Sequence, residues 1–96
     1  MVLEFVEENN ATNRAYPVDL HFNEIIHLDN EKCVFKGKTV IAGRASGLST
    51  IEYDFNVQEF YRVTFSNKTK RCRRINKLVV HSERVVKELI TLIGEE

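Results

Sequence analysis

Ser82-Glu83-Arg84-Val85-Val86-Lys87-Glu88-Leu89-Ile90-Thr91-Leu92-Ile93-Gly94 is the stretch at which the chain changes its period. Val85, Val86, Leu89, Ile90 and Ile93 recur at helical spacing and form one apolar stripe. Ser82 suits an N-cap, and Glu83 falls in the first turn, where the helix dipole favours an acid. Gly94 stands where a C′ glycine belongs. The spacing predicts a three-turn amphipathic helix that buries its stripe.

Everything before that stretch reads with the period of strands. Val2 to Val6 is a short strand in which Leu3 and Phe5 face opposite to Val2, Glu4 and Val6. Glu7 to Ala15 is polar and predicts a loop. Pro17 opens a second strand, where its missing N–H does little harm, and Val18 to Asn23 alternates. The alternation changes phase at Glu24-Ile25-Ile26-His27-Leu28, which predicts a bulge near Asn23. Asp29 to Lys32 is a turn signal. In Cys33 to Ala42, Gly37 either kinks one long strand or turns between two short ones. Gly43-Arg44-Ala45-Ser46-Gly47 predicts a flexible loop. Ile51, Tyr53, Phe55 and Val57 then share one strand face, and Tyr61, Val63 and Phe65 share another. Ser66 to Arg74 is polar and basic, and Ile75 to Val80 reads as the last strand.

Six or seven short strands with short connections favour antiparallel neighbours, and the helix stripe supplies cover for their apolar faces. The expected fold is α+β: a strongly bent antiparallel sheet or small barrel with one C-terminal helix across an opening. An open sheet with the helix on one face is the rival. The order of elements resembles that of pleckstrin-homology-like domains, a likeness of order and of no motif.

At 96 residues, 1–96 is expected to be a single domain, burying about two-thirds of its unfolded surface. No stretch approaches the roughly 18 apolar residues of a membrane span. The acidic start Met1-Val2-Leu3-Glu4-Phe5-Val6-Glu7-Glu8 lacks the basic region of a secretory signal. Cys33 and Cys72 have no CxxC spacing and read as two reduced thiols, which points to the cytoplasm. The sequons at Asn10 and Asn67 are then chance matches.

Charge carries the functional reading. Lys68, Lys70, Arg71, Arg73, Arg74 and Lys77 put six cations into ten residues with no acid among them. Because the whole chain balances 14 cations against 14 acids, the remainder carries −6. Residues 1–31 hold seven acids and only Arg14. The expectation is a small non-catalytic binding or regulatory module that meets a macromolecular partner through this basic loop and a sheet edge. A protein with an acidic surface comes first as partner. Nucleic acid is the alternative, with Phe60, Tyr61 and Phe65 as a stacking surface and arginine forks on phosphate. Lipid headgroups share that phosphate chemistry. A solvated loop that pairs with the acidic N-terminal third is the structural alternative. Exposed strand edges also permit β-augmentation or a homodimer.

Catalytic patterns are sparse. His21, His27 and His81 show no HxxxH or HExxH spacing, so no metal and no cofactor is expected. The glycine-rich Gly43–Gly47 segment lacks the Lys-Ser/Thr of a P-loop, and no Gly-x-Ser-x-Gly elbow occurs. A small hydrolase using Asp19 and His21 is the distant alternative.

Overall fold

Alternation of apolar and polar residues along six successive segments closes a barrel. The structure is a computed structural model that describes residues 1–9, 11–66, 68–69, 71–80 and 83–95; the side chains of Cys72 and Glu95 are outside that description. The strands are β1 (Val2–Asn9), β2 (Arg14–Leu28), β3 (Lys32–Ile41), β4 (Arg44–Asp54), β5 (Glu59–Phe65) and β6 (Cys72–Val79), followed by helix α1 (Glu83–Glu95). Each strand pairs antiparallel with the next, and β1 pairs with β6 through Val6↔Val79, Glu7↔Leu78 and Glu8↔Lys77. The small-barrel expectation therefore holds.

One face of each strand fills the interior. Leu3, Phe5, Val18, Leu20, Phe35, Ile51, Tyr53, Phe60 and Leu78 are buried in one cluster. Phe60 is its hub, with ring centroids 4.4 Å from Tyr53, 5.0 Å from Phe5 and 6.5 Å from Phe35. Val85 and Leu89 of α1 join the same cluster, so the helix covers the end of the barrel at which β6 leaves. Ile90 departs from the expected stripe and is 57% exposed. At roughly 100° per residue, a stripe holding both Val85 and Leu89 leaves Ile90 on its flank. Helical residues continue through Glu95, so Gly94 lies inside the last turn rather than past the end. The proposed cap Ser82, with His81, lies outside the described residues, as do the sequon asparagines Asn10 and Asn67.

The bulge expected near Asn23 is present as register shifts between Phe22 and Glu24 and between Ile25 and His27. Opposite it, Gly37 sits within a continuous β3. A Cβ there would lie 2.2 Å from the His21 carbonyl oxygen, so close strand approach demands glycine.

Several boundaries correct the sequence reading. β1 runs on to Asn9 and β2 starts at Arg14, leaving a tight turn where a long loop is expected. The Asn9 side chain accepts the Ala11 N–H at 3.1 Å, an Asx turn that lets the ladder persist. The Gly43–Gly47 segment is not a flexible loop. Ala42 and Gly43 make the turn at positive φ, and β4 begins at Arg44 with Ser46 as the extra residue of a bulge. The Thr39 hydroxyl lies 2.6 Å from that of Ser46 and donates to the Gly47 carbonyl at 3.1 Å. Val57 does not extend the β4 face. Asp54 accepts the Asn56 N–H at 2.9 Å, which turns the chain at 55–58 and leaves Val57 56% exposed. β6 begins at Cys72, not at Ile75, so the basic connection is shorter than expected.

Candidate functional site: a basic rim over a buried carboxylate

In an antiparallel barrel, alternate connections gather at opposite ends. The connections 10–13, 42–43 and 66–71 share one end, and 29–31, 55–58 and the link to α1 share the other. The helix end is apolar inside. The three-loop end is polar inside, and its centre is Glu7.

Glu7 follows Leu3 and Phe5 in period-2 phase, so β1 aims it inward, where it is fully buried. Arg62 faces it from β5, with Nη2 donating to Oε2 at 2.9 Å and Nε at 2.8 Å from Oε1 without hydrogen-bond alignment. Asn76 of β6 donates to Oε2 at 3.1 Å, and Tyr16 of β2 donates its hydroxyl to the same oxygen. Burial, and then the Glu7 carboxylate, push the Tyr16 phenol above its ordinary value. One carboxylate thus ties four strands together across the seam where β1 meets β6. The sequence reading placed Glu7 in a loop. Its only signal is phase, visible once β1 is known to continue past Val6.

The six cations read from the sequence divide into two groups. Arg74 and Lys77 belong to the outer face of β6 and are already engaged. Arg74 Nε lies 2.5 Å from Glu52 Oε2, Nη2 lies 2.8 Å from Asp54 Oδ2, and the guanidinium stacks 4.4 Å above the Tyr61 ring. Asp54 leads in holding the Arg74 pKa above its ordinary value, and Arg74 in turn holds Asp54 below its own. Lys77 Nζ lies 3.2 Å from Glu59 Oε1, and that carboxylate raises the Lys77 pKa. These partners come from β4 and β5 rather than from the acidic N-terminal third. Glu52 is itself buried beneath Arg74, with Lys32 Nζ at 3.7 Å.

Lys68, Arg71 and Arg73 are exposed, and no ion pair among the described residues involves them. Lys70 lies outside the described residues. The fold adds three cations that the sequence reading left out. Arg14 starts β2, Arg44 starts β4, and Lys38 lies in the loop-side half of β3; all are exposed, and no ion pair among the described residues involves them. Among the described residues of the barrel, the cations nearer the helix end are paired, whereas these six gather toward the three-loop end. Glu8 is an exposed acid at that end, and exposed Glu4 precedes it on β1. Arg71 also borders, with Arg74, an open basin lined by Glu31, Glu52 and Asp54.

Three exposed apolar side chains adjoin the rim. Leu48 is 63% exposed, Ile75 50% and Phe65 43%, and they border one cavity between β4 and β5. No known protein family, curated protein or solved structure matches this chain. The likeness to pleckstrin-homology-like domains accordingly rests on element order alone. Among the described residues, no group of three or more potential metal ligands comes together, and no helix is long and apolar enough to cross a membrane.

Proposed function

We propose that the protein is a non-catalytic binding module that receives an acidic protein surface at the three-loop end of its barrel. The observation that carries this reading is the convergence of Arg14, Lys38, Arg44, Lys68, Arg71 and Arg73 from three connections. Like charges brought together by a fold repel one another, and an acidic partner relieves that repulsion. Such a partner is steered to the rim, so its association rate depends on salt. The exposed Leu48, Phe65 and Ile75 supply apolar contact beside the charges, which suits a protein partner better than phosphates. Nucleic acid is the weaker reading, because among the described residues Phe65 alone of the exposed rim side chains is aromatic and a single-strand groove stacks successive bases. Glu7 and Glu52, the two buried carboxylates among the described residues, are held by arginines, which suits a scaffold acting by contact. With two thiols far apart in the chain, the cytoplasm is the proposed location.

The test compares polyglutamate with single-stranded and duplex oligonucleotides at low and high salt, using the wild type and an Arg44→Gln/Arg71→Gln/Arg73→Gln variant. Polyglutamate binding that the variant slows at low salt supports the reading. Binding confined to oligonucleotides, with a log–log salt slope reduced by up to about 0.9 per lost phosphate contact on duplex DNA, replaces it with nucleic acid. Unchanged binding by the variant refutes the rim.

A further inference from the structure

The barrel is closed, but the β4–β5 seam is split over its loop-side half. Pairing between these strands runs from Asp54↔Glu59 to Thr50↔Val63 and ends there. Above that point β4 continues from Ser49 back to Arg44 with β3 on one side only. β5 likewise continues to Phe65 with β6 on one side only. Two short strand edges therefore face each other across a cavity bordered by Leu48, Phe65 and Ile75. An unpaired edge next to exposed apolar side chains is a template for an added strand.

We propose that this split accepts a short extended segment of the acidic partner, which adds its backbone to the β4 edge. The inference rests on the rim reading and names how the partner is held. The Ser46 bulge and left-handed Gly47 twist the β4 edge, so a straight added strand pairs beside Gly47–Ser49. An apolar side chain of the segment then meets Leu48, Phe65 and Ile75. The flanks pass Arg44 on β4 and come near Arg73 on β6, which pairs with Thr64 beside the split. Charge complementarity selects the occupant: the edge is flanked by cations, and no acid occurs within the Arg44–Ser49 or Arg62–Phe65 stretches that form the split. The fitting segment has apolar residues alternating with aspartate or glutamate.

The experiment uses the full chain labelled for amide NMR, with a synthetic heptapeptide alternating valine with aspartate and glutamate. The same peptide N-methylated at alternate backbone amides is the control. The expected result is shifts and slowed amide exchange at Gly47–Thr50 and Val63–Phe65. N-methylation and Leu48→Glu should each weaken binding at least about tenfold, or about 1.4 kcal/mol. Leu48 is mostly exposed, so the variant folds, and Phe65→Ser serves as a second probe. Polyglutamate binding to the rim should change little in the Phe65→Ser variant. If the peptide binds but shifts only Arg14, Lys68 and Arg71, and ignores N-methylation, the split is wrong and the rim stands. If neither the peptide nor polyglutamate binds at low salt, the rim reading fails as well. Self-association abolished by Leu48→Glu would replace the acidic segment with a second copy of the chain.

Discussion

Glu7 ties β1 to β2, β5 and β6 through one buried carboxylate. A buried carboxylate is tolerable only with its charge compensated, and Arg62 supplies that compensation from the far side of the β1–β6 seam. Glu7→Gln leaves the guanidinium without a counter-charge and should cost about 3–5 kcal/mol, read as a lower urea midpoint. Replacing both partners, Glu7→Leu with Arg62→Leu, should cost less than either single change. Equal losses in all three variants would show that packing, not charge, sets the penalty. Asp29 works on a smaller scale. Its carboxyl is held at about 2, chiefly by the His27 side chain and then by the Lys32 and Glu31 N–H groups. Because the folded value is depressed, its contribution is present above the ordinary carboxylate value near 3.8 and is lost as pH falls toward 2. Asp29→Ala should therefore be less stable than wild type at pH 6, with the gap closing in acid melts near pH 2.

Among the elements, α1 shows how burial sorts one stripe. Leu89 is fully buried and Val85 nearly so, while Ile90 stands in water. Leu89→Ala should lower stability by about 2–5 kcal/mol. Ile90→Ala, on the exposed flank of that stripe, should change it by no more than about 0.5 kcal/mol. Thermal or urea melts of the two variants check the pair, and equal effects would mean the helix is seated differently. The strand ends follow local chemistry. Asn9 and Asp54 each bend the chain through Asx turns, and Asp29 does the same between β2 and β3.

For the whole molecule, topology decides which residues meet. Cys33 lies near the start of β3 at the helix end, and Cys72 opens β6 at the loop end, three strands away in barrel order. Cys33 is fully buried and should resist a thiol reagent until the protein unfolds, whereupon both thiols should react without prior reduction. Prompt labelling of Cys33 in the native protein would contradict the packing. The charge pattern is equally a product of closure. The Arg44, Arg71 and Arg73 triple glutamine variant should keep its melting temperature within a few degrees, since no ion pair among the described residues involves the three, yet lose rim binding at low salt. A large fall in melting temperature would assign those cations a structural role.

Period-2 alternation, the shift in phase near Asn23 and the helical stripe were enough to specify antiparallel strands, bent or closed, with a C-terminal helix, because burial of one face is written in local periodicity; closure through the β1–β6 pairing, against an open sheet, was decided only by the tertiary structure. The inward turn of Glu7 was not legible, since an acid at a strand end reads as a loop until the partner strand is seen to continue. Nor could six clustered cations announce that Arg74 and Lys77 are neutralised by Glu52, Asp54 and Glu59. Ion pairing across strands depends on register, which residues far apart in the chain set together. Arg14, Lys38 and Arg44 joined Lys68, Arg71 and Arg73 for the same reason. Sequence orders charges along one dimension, whereas a closed antiparallel barrel returns every second connection to the same end.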